Sequence, residues 1–299
     1  MNYFLHLFIY FNINAIVALS LNLVMGYCGL LTLAHAGYFA LGSYAYALAT
    51  VKLGWGFFPA VGLGVLLAAV MSLAISLPAL RFKGDFFVLV SLAVQTLLFS
   101  LLYNWSSPEA EVGTWQNLTN GPFGISGIPR PNLFGWQLDS IGSMAGLAFV
   151  TALLCALIVW LLLISPWGRL LKVVRDDELA ARGLGKNTRL AKMQAVAIAC
   201  GMAAVAGSLY AAYVNYIDPS TASLDESILM TCMVLVGGVG NFRGPLVGAF
   251  ILLAIPEALR FAAIPDAVAA NIRLGVYGLL LVLMMQFRPQ GIAGDYRID

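Results

Sequence analysis

A chain of 299 residues with 61% hydrophobic residues, 10% charged residues and a mean hydropathy of +0.89 is not a soluble globular protein, where about 25% of residues carry charge. The net charge of +2 says little, because in a polytopic membrane chain the information lies in which loops carry Lys and Arg. Cys28, Cys155, Cys200 and Cys232 lie in or beside apolar runs without CxxC spacing, so small buried thiols are expected rather than a disulfide or zinc framework.

A helix crosses the ~30 Å hydrocarbon layer with about 20 mainly apolar residues. That length predicts spans near 4–25, 30–50, 58–80, 86–104, 144–165, 194–214, 228–240, 245–262 and 268–287. The expected fold is an all-α polytopic membrane protein of about 8–9 transmembrane helices, one transmembrane domain over 1–299. The first segment has no basic n-region and no clear cleavage site, and reads as a retained span. The first pair of spans is open to division into half-helices. Segment 228–240 is short and broken by Gly237, Gly238 and Gly240, the pattern of a re-entrant segment.

Between the fifth and sixth spans lies the only long polar stretch dense in charge. Residues 168–192 (GRLLKVVRDDELAARGLGKNTRLAK) hold seven of the sixteen Lys and Arg and the acids Asp176, Asp177 and Glu178. Placing 166–193 in the cytoplasm fixes the alternation of the other loops. Loop 81–85 and the tail after Arg288 then lie inside. Loop 105–143 lies outside with one basic residue, Arg130, against Glu109, Glu111 and Asp139. Loop 215–227 lies outside with Asp218, Asp225 and Glu226 and no basic residue. The outer loop 105–143 is rich in Gly and Pro, and its Trp105, Trp115 and Trp136 point to interfacial anchoring.

Leu170, Leu171, Val174 and Ala181 share one face of a helix in the charged stretch. Asp176–Glu178 suit a helix N-terminus, Gly183 and Gly185 a stop, and Asn187 or Thr188 the cap of the next span. Two readings stay open for this stretch: an ordinary positive-inside loop, or a surface helix on which a partner acts. Gly244 and Gly248 form a GxxxG that lets helices approach closely. Gly237, Gly238 and Gly240 are better explained by a break. Polar residues fall inside spans at Asn12, Asn14, Asn22, His35, Gln95, Thr96, Glu257 and Gln286. Such groups bridge helices or line a path. For His35, set among Gly26, Gly29, Gly37 and Gly42, both readings stay open. Of the acids, only Glu257 falls well within a span, a poor ion relay for a proton- or sodium-coupled carrier. No nucleophile–base pair, HExxH or Cys/His cluster is present, so an enzyme, a metal site and a cofactor are not expected.

Six motifs in order resemble the permease subunits of the branched-chain amino-acid ABC importers, of the LivM type. They are LNLVMGYCGLLTLAHAGYFALGSYAYAL (21–48), LPALRFKGDFFVLVSLA (77–93), LTNGPFGISGIP (118–129), GRLLKVVRDDELAARGLGKN (168–187), VLVGGVGNFRGPLVGAFIL (234–252) and FRPQGI (287–292). The resemblance implies a bacterial inner-membrane permease paired with a second related permease subunit. Two cytoplasmic ABC ATPases and a periplasmic substrate-binding protein complete the complex, and no nucleic acid takes part. Transport would run by alternating access, with ATP hydrolysis on the partners. The resemblance places a coupling helix at Arg175, Asp176, Asp177, Glu178, Ala180, Ala181 and Gly185. Residues expected on the translocation path are Asn22, His35, Gln95, Thr96, Gly237, Gly238 and Gly240. Branched-chain amino acids are the expected substrates, with urea, short amides or other small carboxylates as the alternative. A stand-alone secondary transporter is the competing class.

Overall fold

The computed structural model describes residues 2–79, 85–133, 136–261, 266–287 and 290–293. Most of the loop expected at 81–85, and Arg288 at the start of the tail, lie outside the described residues. Each predicted span corresponds to an apolar helix. These are α1 (Asn2–Asn22), α2 (His35–Val51), α3 (Phe57–Ala79), α4 (Asp85–Asn104) and α5 (Ile141–Ile164). After two short polar helices, α6 (Pro166–Asp176) and α7 (Glu178–Gly183), come α8 (Thr188–Val214), α9 (Leu224–Gly237), α10 (Gly244–Phe261) and α11 (Asp266–Phe287).

Five of these have the length and composition to cross a bilayer unaided: α1 with its extension to Tyr27, α3, α4, α5 and α8. Two central helices are short. At 1.5 Å per residue, the 17 residues of α2 and the 14 of α9 cover roughly 25 Å and 21 Å, less than the hydrocarbon layer. The segment between α1 and α2 explains the first shortfall. A five-residue π-helical turn, Leu23–Tyr27, continues α1. The chain then closes on itself, Leu30 N–H donating to Val24 O at 3.1 Å, and runs unhelical to Ala34. Backbone of this kind is tolerated at membrane depth only where protein satisfies it.

The centre of the bundle is the α2–α8 contact, with α3 alongside. It is built from small residues: Ala199, Ala203, Ala204, Ala206 and Ala211 of α8 are fully buried. A Cβ on Gly42 would stand 2.4 Å from the Ala204 Cα, and one on Gly207 only 1.9 Å from the Phe39 carbonyl oxygen. The backbones therefore touch, and Ser208 Oγ donates across to Gly42 O at 3.2 Å. By contrast α5 sends Leu153, Leu154, Leu157, Ile158 and Leu161 outward, as a lipid-facing helix does. The four cysteines are free and buried.

Contacts sort the loops to two ends. At one end gather α6 and α7, the π-turn, the α9–α10 turn and residues 290–293. At the other, Lys52 faces Glu111 at 3.9 Å, and Ile125–Ser126 (β1) pairs antiparallel with Tyr216–Ile217 (β4). A second two-stranded ribbon, Asn132–Leu133 (β2) with Trp136–Gln137 (β3), lies in the same long loop. This is the grouping that charge alternation requires. The long loop is tightly built: Trp105 Nε1 donates to Trp115 O at 2.7 Å, and Asn117 and Thr119 are buried inside it.

Candidate functional site

The charged stretch folds as two helices, not one. Ser165 caps α6 by accepting from Gly168 N–H, with Pro166 in its first turn. The helix stops at Asp176 because Asp177 leaves helical geometry and caps α7, its Oδ1 accepting from the Leu179 and Ala180 N–H groups at 2.9 Å each. The sequence placed all three acids at one helix start. In fact Asp176 ends the first helix, Asp177 caps the second, and only Glu178 lies in a first turn. Gly185, at φ +73°, turns the chain, and Asn187 caps α8 by accepting from Leu190 N–H at 3.0 Å.

Leu171 and Val174 are buried on α6 and Ala181 on α7, with Leu170 half-buried, so the single face expected of one helix is divided between two. Glu178 fixes α7 against α8. Its two oxygens meet Arg182 at 2.6 Å, Lys192 at 2.7 Å and the Thr188 hydroxyl at 3.0 Å. Partial burial would raise the Glu178 pKa; hydrogen bonding and charge from Lys192, then bonds from Thr188 and Arg182, outweigh it and hold the carboxyl below its ordinary value of 4.5. Glu178 thus positions α7 against α8. On α7 Leu179 is 71% exposed and, at its C-cap, Leu184 is 75% exposed, beside exposed Ala180 and Arg182. Sequence reasoning missed both. Their signal is that they fall off the 171/174/181 stripe on a short, otherwise polar helix.

Arg175 ties this surface to the spans. Its side chain is largely buried and its Nη1 donates to Gly26 O at 2.8 Å, at the end of the π-turn. One turn earlier, Asn22 bridges to the α9–α10 turn: its Oδ1 accepts from Gly240 N–H at 3.1 Å and its Nδ2 donates to Asn241 O at 2.9 Å. Gly238, at φ +119°, ends α9, and Ile292 and Ala293 N–H donate to Val236 O and Gly237 O at 3.0 and 2.9 Å. Gly237, Gly238 and Gly240 therefore build a tight turn at the charged end.

A second junction lies at half height. Gln95, the eleventh of the twenty residues of α4, accepts from Gly37 N–H at 2.9 Å and donates to Ala222 O and Ser223 O at 2.6 and 3.1 Å. Ala36 N–H donates to Ser227 Oγ at 3.2 Å. The N-termini of α2 and α9 thus meet inside the bundle, their orphan donors satisfied by side chains. His35 is buried and its Nε2 bonds Ser20 Oγ of α1 at 2.8 Å.

Two cavities flank this junction. One of about 30 Å³, room for a water, lies among His35, Ser72, Ser76 and Ser91. The other, about 500 Å³, opens between α1, α8, α9, α10 and α11 and is lined by Tyr10, Asn14, Tyr210, Asp225, Glu226 and Met230 among others. None of the seven residues expected on a path lines the larger cavity. Asn22, His35 and Gln95 bridge helices, and the three glycines close a turn. Thr96 stands apart, exposed on α4 with its hydroxyl returned to Leu92 O and Ala93 O. The stretch expected as loop 215–227 ends in helix: Ser223 caps α9, and Asp225 and Glu226 lie exposed in its first turn.

The family described as "Branched-chain amino acid transport system / permease component" matches residues 3–285. The chain is 31% identical, over 94% of its length and 67% of the relative's, to the high-affinity branched-chain amino acid transport system permease protein LivM of Escherichia coli K12. It is 26% identical to the Methanocaldococcus jannaschii protein described as a branched-chain amino acid transport permease, LivM, over 95% and 91% of the two chains. Among solved structures, an inward-facing ABC transporter of metal-chelate type superposes with a TM-score of 0.50 at 18% identity, over 93% of this chain and 86% of the other, and shares the fold. With the family's match running from the first helix to the last, the chain belongs to the branched-chain amino acid transport permease family.

Proposed function

We propose that this chain is one membrane subunit of an ABC importer that carries branched-chain amino acids inward, with energy supplied by cytoplasmic ATPases that bind α6 and α7. The observation that carries this reading is the pair of exposed leucines, Leu179 on the short helix α7 and Leu184 at its C-cap, with α7 tied to α8 through Glu178. An isolated positive-inside loop needs neither feature. The cytoplasmic side is assigned from the basic residues of 166–193. A second, related permease completes the membrane unit, and a periplasmic binding protein delivers substrate at the opposite end, onto the ordered loop 105–143. In a bacterium the complex sits in the inner membrane.

In this reading the hydrogen bonds carry the motion. When the ATPases close on ATP they displace α7. The Glu178 contacts make α7 move with the start of α8, and Arg175 transmits the motion to Gly26. From there Asn22 hands it to the α9–α10 turn. Because α9 begins at the mid-depth junction, a shift of its lower end changes the wall of the larger cavity. The chain's own residues supply motion and passage; bond breaking in ATP belongs to the partners.

The test is reconstitution in liposomes, with the second permease, with and without candidate ATPases and a leucine-binding protein. ATP-dependent leucine uptake only with the full set is the expected result. Uptake by this chain alone, without ATP, would show a secondary transporter instead.

A further inference from the structure

We infer that Gly291–Ala293 is a second positioning element for transport, a clamp on the lower end of α9 that makes the helix follow the α9–α10 turn. The inference rests on the proposed importer function and adds what that mechanism leaves open, namely how a pull on a glycine turn reaches a helix. Asn22 does not grip α9 itself. Its two bonds go to Gly240 N–H and Asn241 O, beyond the helix end at Gly237. Between grip and helix stand Gly238, Val239 and Gly240, and glycine backbone has the widest conformational freedom. The last turn of α9 also has carbonyls without intrahelical donors, and it frays unless other N–H groups meet them. On its own, a turn built this way absorbs motion.

The segment beyond α11 removes that slack. Gly291 and Ile292 end the FRPQGI stretch (287–292), and the chain here returns to α9. Ile292 and Ala293 donate their N–H groups to Val236 O and Gly237 O at 3.0 and 2.9 Å, so two carbonyls of the last turn are met. Gly291 is buried against Gly238 with no side chain between them. A Cβ on Gly291 would stand 2.4 Å from the Gly238 Cα, 2.6 Å from its N and 2.8 Å from Leu235 O. Gly291 also holds φ +79°, a conformation that a side chain resists. From the π-turn, Gly26 closes on the same turn: a Cβ there would stand 2.5 Å from the Gly240 N. The α9–α10 turn is therefore held backbone against backbone by two other segments, and close-packed backbone transmits displacement. A tail that only stabilised the fold would set how much transporter assembles. A clamp sets how much transport each ATP drives.

Two arms test this on the assembled transporter. In the first, leucine uptake and ATP hydrolysis are both measured per assembled complex in liposomes. Gly291→Ala forces a Cβ onto Gly238, and Ile292→Pro removes the N–H that Val236 O accepts. Gln290→Ala, at the exposed neighbouring position, is the control. Leucine carried per ATP hydrolysed should fall at least fivefold in both variants, with hydrolysis within twofold of wild type and the control unchanged. An unchanged ratio in either variant, or uptake and hydrolysis falling in step, overturns the inference. The second arm needs no variant. Hydrogen exchange of the Ile292 and Ala293 amides is followed by mass spectrometry in the wild-type complex. Exchange at least a hundredfold slower than in an unstructured peptide supports the clamp; exchange at the peptide rate overturns it. A wild-type complex that hydrolyses ATP, carries no leucine and still protects these amides would instead count against the importer reading alone.

Discussion

The charged end and the mid-depth junction both hold together broken helices, and they do so with opposite chemistry. At the charged end, where water is at hand, α7 is pinned by ion pairs from Glu178 to Arg182 and Lys192. At half height, in the buried interior, the starts of α2 and α9 are pinned by the neutral groups Gln95, Ser227 and Ser91, the last accepting from Leu33 N–H at 3.0 Å. The difference follows from solvation. A partly exposed ion pair near water contributes about 1 kcal/mol, whereas an unmet N–H or C=O in the interior costs about 1–3 kcal/mol. The lesson is that the first region can be lost locally, while the second fails as a unit.

Breaking the neutral junction should therefore have the largest effect. Gln95→Leu keeps the volume but abandons the Gly37 N–H and the Ala222 and Ser223 carbonyls. A loss of about 3 kcal/mol or more is expected, seen as a collapsed folded yield or a large drop in Tm in detergent. A variant that melts with the wild type would show the junction to be ornamental.

Next comes the turn that joins the two regions. A Cβ at Gly248 would stand 1.8 Å from the Met233 carbonyl oxygen, so Gly248→Ala must push α9 and α10 apart. About 1–3 kcal/mol of destabilisation is expected, with uptake reduced in parallel. Gly238→Val strains a φ of +119° and should act in the same direction. Normal uptake in both would remove the α9–α10 turn from the proposed mechanism.

Glu178→Gln should be milder in stability, about 1 kcal/mol, and should change its pH dependence. The wild-type carboxyl has a folded pKa below its ordinary 4.5, so its contribution is full above that value and fades as pH falls through the folded pKa. The variant should lose this part of the acid limb. Unchanged acid unfolding would mean the Lys192 and Arg182 pairs contribute nothing. Smallest of all, Thr96→Val should shift stability by less than about 0.5 kcal/mol and leave uptake intact, because its hydroxyl serves only its own helix.

The sequence revealed the two regions unequally. Hydropathy located every apolar helix to within a few residues at most boundaries, and the density of Lys and Arg picked out 168–192. Asn187 and the Gly185 turn were readable from local chemistry. The stop at Asp177 was not, because an acid suits either a cap or a first turn until backbone geometry chooses. Gln95 and Asn22 were visible as polar residues in apolar runs, but which backbone they serve depends on the α2, α4 and α9 packing that only the fold supplies. Asp225 and Glu226 read as loop residues since a 14-residue helix starting at mid-depth leaves no mark in a hydropathy window. Leu179 and Leu184 lie exposed on α7 and at its C-cap, and a periodicity search discards them as departures from its stripe.

The central claim is that α7 is the surface on which the ATPases act. Burying a leucine contributes about 1.5–3 kcal/mol, so replacing both Leu179 and Leu184 with Asp should remove at least 3 kcal/mol of association energy. The measurement is the Kd of the candidate ATPase dimer for the detergent-solubilised permease, wild type against Leu179→Asp/Leu184→Asp, with Tm as the control for folding. The expected result is at least a hundredfold weaker association at unchanged Tm. An unchanged Kd would place the ATPases elsewhere and contradict the account.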